Sequence, residues 1–189
     1  GFYAQYEYKT TGNVAAAGWY RVATILGGSG RGQQQVTIYT TGGNYTPRST
    51  TFHWYHDWSN VAGVNVISET GTGGYWTDVR VTDDGTNSYL EVYFTQAITG
   101  INIGLQFIGG YDLGTIYSGD LPAGGGTVRV VTKANGLFVL NDKFVVESAG
   151  NVGIGTTSPA TVLDLGGGTN YINTTATYQI VSTSAKIVQ

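Results

Sequence analysis

Apolar and polar residues alternate in short runs along the first two thirds of the chain. The alternation covers residues 18–26 (GWYRVATIL), 34–41, 48–58 (RSTTFHWYHDW), 62–69, 75–82, 87–98 and 101–108. A period of two predicts strands, because successive side chains of an extended backbone point to opposite faces. Turn-forming clusters separate the runs: GGSGRG at 27–32, TGGNYTP at 41–47, ETGTGG at 69–74 and DDGTN at 83–87. Seven short strands at near-regular spacing predict an all-β fold with an antiparallel β-sandwich or jelly-roll-like head.

The pattern also assigns faces. Ile101, Ile103, Leu105 and Phe107 share one side of their strand, and Leu90, Val92 and Phe94 share one side of theirs, opposite Tyr89, Glu91 and Tyr93. Beyond DLPAGGG (120–126) the Tyr and Trp content collapses, and Gly, Asn, Thr and Val take over. A boundary is therefore expected near residue 125, with a head over 1–125 and a glycine-rich stem over 126–189. So few bulky apolar residues do not build an independent core, which makes a stem stabilised by other copies of itself the expected arrangement.

Composition narrows the function classes. Charged residues are 11% of the 189, against roughly 25% in ordinary soluble chains. The nine Lys and Arg are scattered and the net charge is −3, so no basic patch exists to neutralise a phosphate backbone, and nucleic acid is excluded as a partner. No apolar run approaches the roughly 20 residues of a membrane-spanning helix, and residues 1–20 lack a signal-peptide layout. The absence of Cys removes disulfides, thiolate metal sites and a Cys nucleophile. A chain that begins at Gly1 and contains no Met is expected to be a fragment or a processed product.

Residues 52–58, FHWYHDW, concentrate both histidines with four aromatic rings. In a regular strand His53 and His56 face opposite ways, so they do not share an ion without a bulge. Asp57 with His53 supplies two ligands on one face, short of the three or four of a zinc site, although a metal shared between copies at a trimer axis stays open. No metal and no cofactor are expected. Phe52, Trp54 and Trp58 fall on the face expected to be core, and His53, Tyr55 and Asp57 on the outward face. DDGTN contains Asp83, Asp84 and Asn87 but not the ligand spacing of a calcium loop, and is expected to be a hairpin turn. Asn44-Tyr45-Thr46 and Asn173-Thr174-Thr175 fit the glycosylation pattern, which matters only in a eukaryotic producer.

Four Trp and 14 Tyr exceed what one small sandwich buries, so some rings are expected at the surface. Exposed rings beside Asp, Asn and His suit sugars, with a flat apolar face for the C–H side and polar partners for the hydroxyls. The candidates near turns are Tyr45, His53, Tyr55, Asp57, Trp58, Tyr75, Trp76 and Tyr111. Hydrolysis needs a positioned carboxylate pair or an activated nucleophile, and the twelve acids lie mostly singly, so an enzyme is the lesser alternative.

The most specific motif is Asn151-Val152-Gly153-Ile154-Gly155-Thr156-Thr157-Ser158-Pro159, followed by the alternating Val162-Leu163-Asp164-Leu165. It resembles, over about twenty residues, the NVGIGTTSP segment of bacteriophage tail fibres and tailspikes, in which it commonly lies upstream of a C-terminal intramolecular-chaperone autoprotease. The resemblance implies that Asn151, Gly153, Gly155, Thr156, Ser158 and Pro159 belong to the shaft of a homotrimer that carries a receptor-binding head. It implies a virion location, extracellular at the host surface, with host glycan or a surface protein, the adjacent fibre shaft and a cleaved chaperone as partners. A structural shaft or capping segment that binds nothing itself is the alternative, and a polysaccharide-degrading tailspike a lesser one.

Overall fold

A computed structural model describes residues 8–27, 31–71, 73–111, 114–134, 137–139, 144–146, 150–156, 158–160 and 162–165. The chain is all-β; among the described residues the helical structure is one 3-10 turn at Trp58–Asn60. In chain order the strands of the first part are β1 (Tyr8–Val14), β2 (Gly18–Ile25), β3 (Gly32–Thr40), β4 (Arg48–Asp57), β5 (Val61–Gly71), β6 (Trp76–Asp83), β7 (Ser88–Phe94) and β8 (Ile98–Gly110). The short β9 (Gly114–Ile116) and β10 (Gly119–Asp120) follow, then β11 (Thr127–Lys133), β12 (Leu137–Val139), β13 (Phe144–Val146), β14 (Val152–Ile154) and β15 (Leu163–Leu165).

These strands form three sheets. One has six strands in the order β10-β1-β8-β3-β4-β5, one has five in the order β11-β6-β7-β2-β9, and one has four in sequence order, β12-β13-β14-β15. The described ladders are antiparallel except for β1 with β10 and β14 with β15. The two large sheets each turn one face into a single apolar cluster. Val36, Ile38, Phe52, Trp54, Ile101 and Ile103 enter it from the first, and Val22, Trp76, Val79, Val81, Leu90, Val92 and Phe94 from the second. Hydrogen bonds also cross between the two large sheets: Trp76 Nε1 donates to Thr50 Oγ1 at 2.8 Å, Gln34 Nε2 donates to the Thr24 carbonyl at 3.0 Å, and Arg48 Nη1 donates to the Trp76 carbonyl at 2.8 Å.

The outer face of β7 is partly covered as well. Tyr89 and Glu91 point away from the apolar core, as the alternation requires, yet both are buried. The segment 121–126 lies across Glu91, tied down by Arg21 N–H to the Pro122 carbonyl (2.9 Å) and Gly124 N–H to the Trp19 carbonyl (2.7 Å). Glu91 Oε1 accepts from Thr82 Oγ1 at 3.0 Å and from Gly125 N–H at 2.8 Å, and Oε2 accepts from Arg80 Nε at 2.7 Å. Arg21 Nε approaches Oε1 at 3.4 Å, while its guanidinium covers the Tyr89 ring at 3.6 Å. Gly124 is required here, because a Cβ at that position would stand 2.6 Å from Glu91 Oε2 and 2.8 Å from Trp19 Cβ.

The composition change at residue 125 does not end this sheet. β11 continues it as an edge strand, paired from Thr127 with Asp83 to Lys133 with Asp78. The four-stranded sheet comes after it, and residues 166–189 of the expected stem lie outside the described residues. The Phe107 side chain, assigned inward above, also lies outside them.

Glu91→Ala removes the common partner of two guanidiniums, one hydroxyl and one backbone N–H. It is expected to destabilise the fold by about 3–5 kcal/mol, read as a lower urea midpoint. Lys133→Ala breaks the ion pair of Lys133 Nζ with Asp78 Oδ1 (3.0 Å) at the surface and is expected to cost about 0–1 kcal/mol.

Candidate functional site

β4 carries FHWYHDW, and its alternation is regular from Phe52 to Asp57. Phe52, Trp54 and His56 point inward and are buried, while His53, Tyr55 and Asp57 point outward, as expected from the sequence. Trp58 does not continue the inward row. The strand stops at Asp57, and the following turn places Ser59 (φ 57°) and Asn60 (φ 65°) in the left-handed region, which throws the Trp58 ring outward to 57% exposure. Its expected place in the core is thus corrected, and its place among the exposed candidates stands.

The end of β8 comes back to this turn. Tyr111 N–H donates to the Arg31 carbonyl at 2.9 Å, which sets Tyr111 beside the start of β3. The Arg31 guanidinium then lies 4.1 Å from the centroid of the Trp58 ring and 4.5 Å from that of Tyr111. Around it opens a cleft of about 390 Å³ lined by Arg31, Gln33, Tyr55, His56, Asp57 and Tyr111, among others. Tyr55 is 38% exposed and Tyr111 83%, so part of each ring is open to solvent beside the cleft. Four of the candidates from sequence, Tyr55, Asp57, Trp58 and Tyr111, therefore meet in one place. His53 borders them, with Nε2 3.2 Å from Gln33 Oε1.

Arg31 was missed by the sequence reading. It stands in GGSGRG, a segment that reads as a turn, and the only signal was a single cation among glycines.

Tyr45, Tyr75 and Trp76 do not join the site. Tyr45 and Tyr75 precede the start of β4 and of β6, and the cleft lies beyond the other end of β4, a strand of ten residues or roughly 30 Å. Their rings meet edge to face at 5.6 Å. Their hydroxyls accept backbone N–H groups within the protein, Tyr45 from Thr99 at 3.0 Å and Tyr75 from Thr46 at 2.6 Å. Trp76, expected at the surface, is fully buried. A bulge between Trp76 and Asp78 adds one residue to β6 and reverses the alternation, so Trp76 joins Val79 and Val81 on the inner face.

Behind the cleft lies a buried polar pair. His56 Nε2 is 3.9 Å from Asp83 Oδ2, and the Asp83 carboxylate also takes two hydrogen bonds from the Arg129 guanidinium and one from Gly85 N–H at 3.0 Å. The Arg129 hydrogen bond is the main reason the Asp83 carboxyl is held below the usual carboxylate range, with help from the Gly85 N–H and the Arg129 charge and against the effect of burial. Among the described residues no three His, Asp or Glu side chains converge as a metal group.

The fibre-like motif has its own local logic. Gly153 of β14 is buried, and a Cβ there would stand 2.7 Å from the Thr156 carbonyl oxygen and 3.5 Å from Pro159 Cβ. The chain thus folds back tightly over Gly153. Asn151 Nδ2 donates to the Pro159 carbonyl at 3.3 Å, Ser158 N–H donates to Thr156 Oγ1 at 3.3 Å, and Gly155 turns at φ 78°. Val152 N–H donates to the Val162 carbonyl at 2.8 Å, which starts the parallel pairing of β14 with β15. Thr157 lies outside the described residues.

No family model matches the chain, and no curated protein matches it. A solved structure similar to it is that of WceF from Pantoea stewartii, described as a glycan biofilm modifying enzyme with a bacteriophage tailspike-like parallel β-helix fold. The similarity has a TM-score of 0.45 at 11% identity and covers 84% of this chain and 26% of that one. The chain thus spans about a quarter of the length of WceF, and a likeness of this size carries no argument about what the chain does.

Asp83→Asn is expected to lower stability at neutral pH by about 1.5–3 kcal/mol, the range for a hydrogen bond to a charged group. A carboxyl whose folded pKa is depressed stabilises fully above its unfolded value of about 3.9, and that contribution is lost as pH falls from there through the lower folded value. Urea midpoints measured from pH 7 downward should therefore fall more steeply below about pH 4 in the parent than in Asp83→Asn.

Proposed function

We propose that the chain is the receptor-binding part of a bacteriophage tail fibre or spike. In this proposal a jelly-roll-like sandwich head (1–125) stands on a slender stem (126–189) in a parallel homotrimer, and the head binds host-surface glycan without cleaving it. The observation that carries the binding role is the meeting of Arg31, Tyr55, Asp57 and Tyr111 in one open cleft, with the Trp58 ring stacked on the Arg31 guanidinium beside it.

Each part suits a sugar. The exposed rings offer flat apolar faces to C–H groups, and Asp57, Gln33 and Arg31 supply acceptors and donors for hydroxyls. The Arg31 guanidinium between two rings holds both in position before a ligand arrives, which reduces the ordering cost of binding. Among the described lining residues Asp57 is the single carboxylate, whereas glycoside hydrolysis uses two. A cleft this shallow favours weak single-site affinity, and three copies on one stem would multiply it.

The head, stem and virion location rest on NVGIGTTSP and on the exposed apolar side chains Ile154, Val162 and Leu163 of its small sheet. In this proposal other copies of the stem cover them, the adjacent shaft precedes or continues them, and a cleaved chaperone assisted their assembly.

Three measurements test the proposal. Mass in solution is expected to be three times the chain mass, and a monomer would remove the stem. On a glycan array the parent is expected to bind, and Trp58→Ala or Tyr111→Ala to lose affinity by about tenfold, or 1.4 kcal/mol, with unchanged melting temperature because both rings are exposed. No binding by the parent supports the spacer role instead, and release of reducing ends supports an enzyme.

A further inference from the structure

We propose that the cleft is one end of a longer track along the outward face of β3 and β4, and that the track takes a neutral, unbranched oligosaccharide lengthwise. This builds on the glycan-binding role proposed above and names the ligand's class and direction. At the other end of the same two strands lies a second depression of about 510 Å³, bordered by Thr37, Tyr39, Ser49 and Thr70, among others, and by Arg48, whose guanidinium is buried and paired with Glu69. The cleft and this depression are joined by a continuous row of polar side chains.

The register defines the row. Gln33 stands opposite Tyr55, Gln35 opposite His53, Thr37 opposite Thr51, and Tyr39 opposite Ser49. These are alternate positions on paired strands, so all eight side chains share the outward face, at intervals of about 6.7 Å along the strands. From Gln33 to Tyr39 the row extends roughly 20 Å, long enough for several sugar rings rather than one. Asn65, Ser68 and Thr70 of β5 extend it sideways in register with His53, Thr51 and Ser49.

Every group in those rungs is an amide, a hydroxyl, an imidazole or a phenol. Cross-strand pairs already fix several of them: Gln35 Nε2 donates to Gln106 Oε1 at 2.6 Å, and the Thr37 and Thr51 hydroxyls lie 2.8 Å apart. Each pair uses only part of the hydrogen-bonding capacity of its members, because an amide has two N–H donors and two lone pairs and a hydroxyl can donate and accept. The row therefore presents prepositioned donors and acceptors, the requirement for binding a polyhydroxylated chain without a large ordering cost.

The absence of charge within the rungs selects the occupant. A polyanion would lose hydration over this face without gaining a cation, except at the two ends, where Arg31 stands in the cleft and Lys9 lies 5.1 Å from the Tyr39 ring centroid. A protein partner would need a buried apolar anchor. Among the exposed large apolar side chains, Tyr55 is the one that belongs to the β3 and β4 rungs. An added peptide strand would use a sheet edge, not the face of two inner strands.

The test uses length ladders prepared from neutral glucans, galactans and mannans, from one ring upward, with binding followed by calorimetry. Affinity of the parent is expected to rise with chain length and then level off. Gln35→Ala and Tyr39→Ala, both outside the cleft, are expected to weaken the longest ligands by about five- to tenfold, as expected for one lost hydrogen bond or ring contact, and to leave single rings unaffected. Trp58→Ala is expected to weaken all lengths. Length-independent binding, or parent-like binding by both row variants, overturns the track and leaves the cleft standing. No binding by the parent at any length overturns the glycan role and the track together. A fall in solution mass for Thr37→Arg, with glycan binding unchanged, would assign the face to contact between copies of the chain and also overturn the track.

Discussion

The constraint on which the rest depends is the alternation of β4 between β3 and β5. β4 hydrogen-bonds on both edges, so its register is fixed twice, and a slip of one residue would exchange its faces. Phe52 and Trp54 would leave the core, and the hydroxyl of Thr50 would leave the indole of Trp76 to which it ties the opposite sheet. The same register delivers His53, Tyr55 and Asp57 to the outward face and ends the strand where Trp58 can turn out beside Arg31. Core and candidate site are two readouts of a single pairing. Substitutions that disturb the inward half of FHWYHDW therefore act on the cleft as well, through the register.

A second constraint is the economy of charge. The chain has nine cationic and twelve acidic residues, and at least five of the cations are committed to acids among the described residues. Glu91 gathers Arg21 and Arg80 under the 121–126 segment, Arg48 pairs with Glu69, and Arg129 pairs with Asp83 behind the cleft. These pairs lie at the margins of the apolar core, where each fastens one element to another. The outward rungs of β3 and β4 are left to Gln, Thr, Ser, His and Tyr. Low charge is thus not spread evenly over the surface. It leaves the outward rungs of β3 and β4 between Gln33 and Tyr39 uncharged, which is the property that suits a neutral polyhydroxylated ligand.

Much of this was legible in the sequence wherever a strand runs without interruption. The inward sets Leu90, Val92, Phe94 and Ile101, Ile103, Leu105 are buried as their period requires, and the histidines of β4 diverge as expected. The failures each have a local cause. Trp76 was placed outside because one extra residue in β6 reverses the parity, and a bulge has no reliable signature in YWTDVRVT. Trp58 was counted inward because the left-handed pair Ser59 and Asn60 is not a turn that its residue types announce. The burial of Glu91 has no signal in its own strand, because nothing there reveals that residues 121–126 fold back over it. Arg31 was overlooked because its partners Trp58 and Tyr111 are distant in sequence. Period-two reading thus sees faces within a strand, while sites made by strand ends need the topology.

The small sheet of the C-terminal part bears on affinity as much as on assembly. Four strands, all three residues long, bury little apolar surface alone, and Ile154 and Leu163 on them, with Val162 just before β15, stay exposed. Such a sheet gains stability mainly by covering those side chains, and in the proposed trimer the neighbouring copies do so. The requirement for association and the requirement for binding then support each other. A neutral, open site gives fast release of a single head, because it has neither a deep pocket nor a desolvated ion pair to hold the ligand. In the proposed trimer, heads held together by one stem would rebind before the whole particle leaves, provided that their spacing matched repeats on the surface they contact. Weak association in the proposed stem and weak recognition in the proposed head would each be of little use alone, and coupling them would convert both into stable attachment.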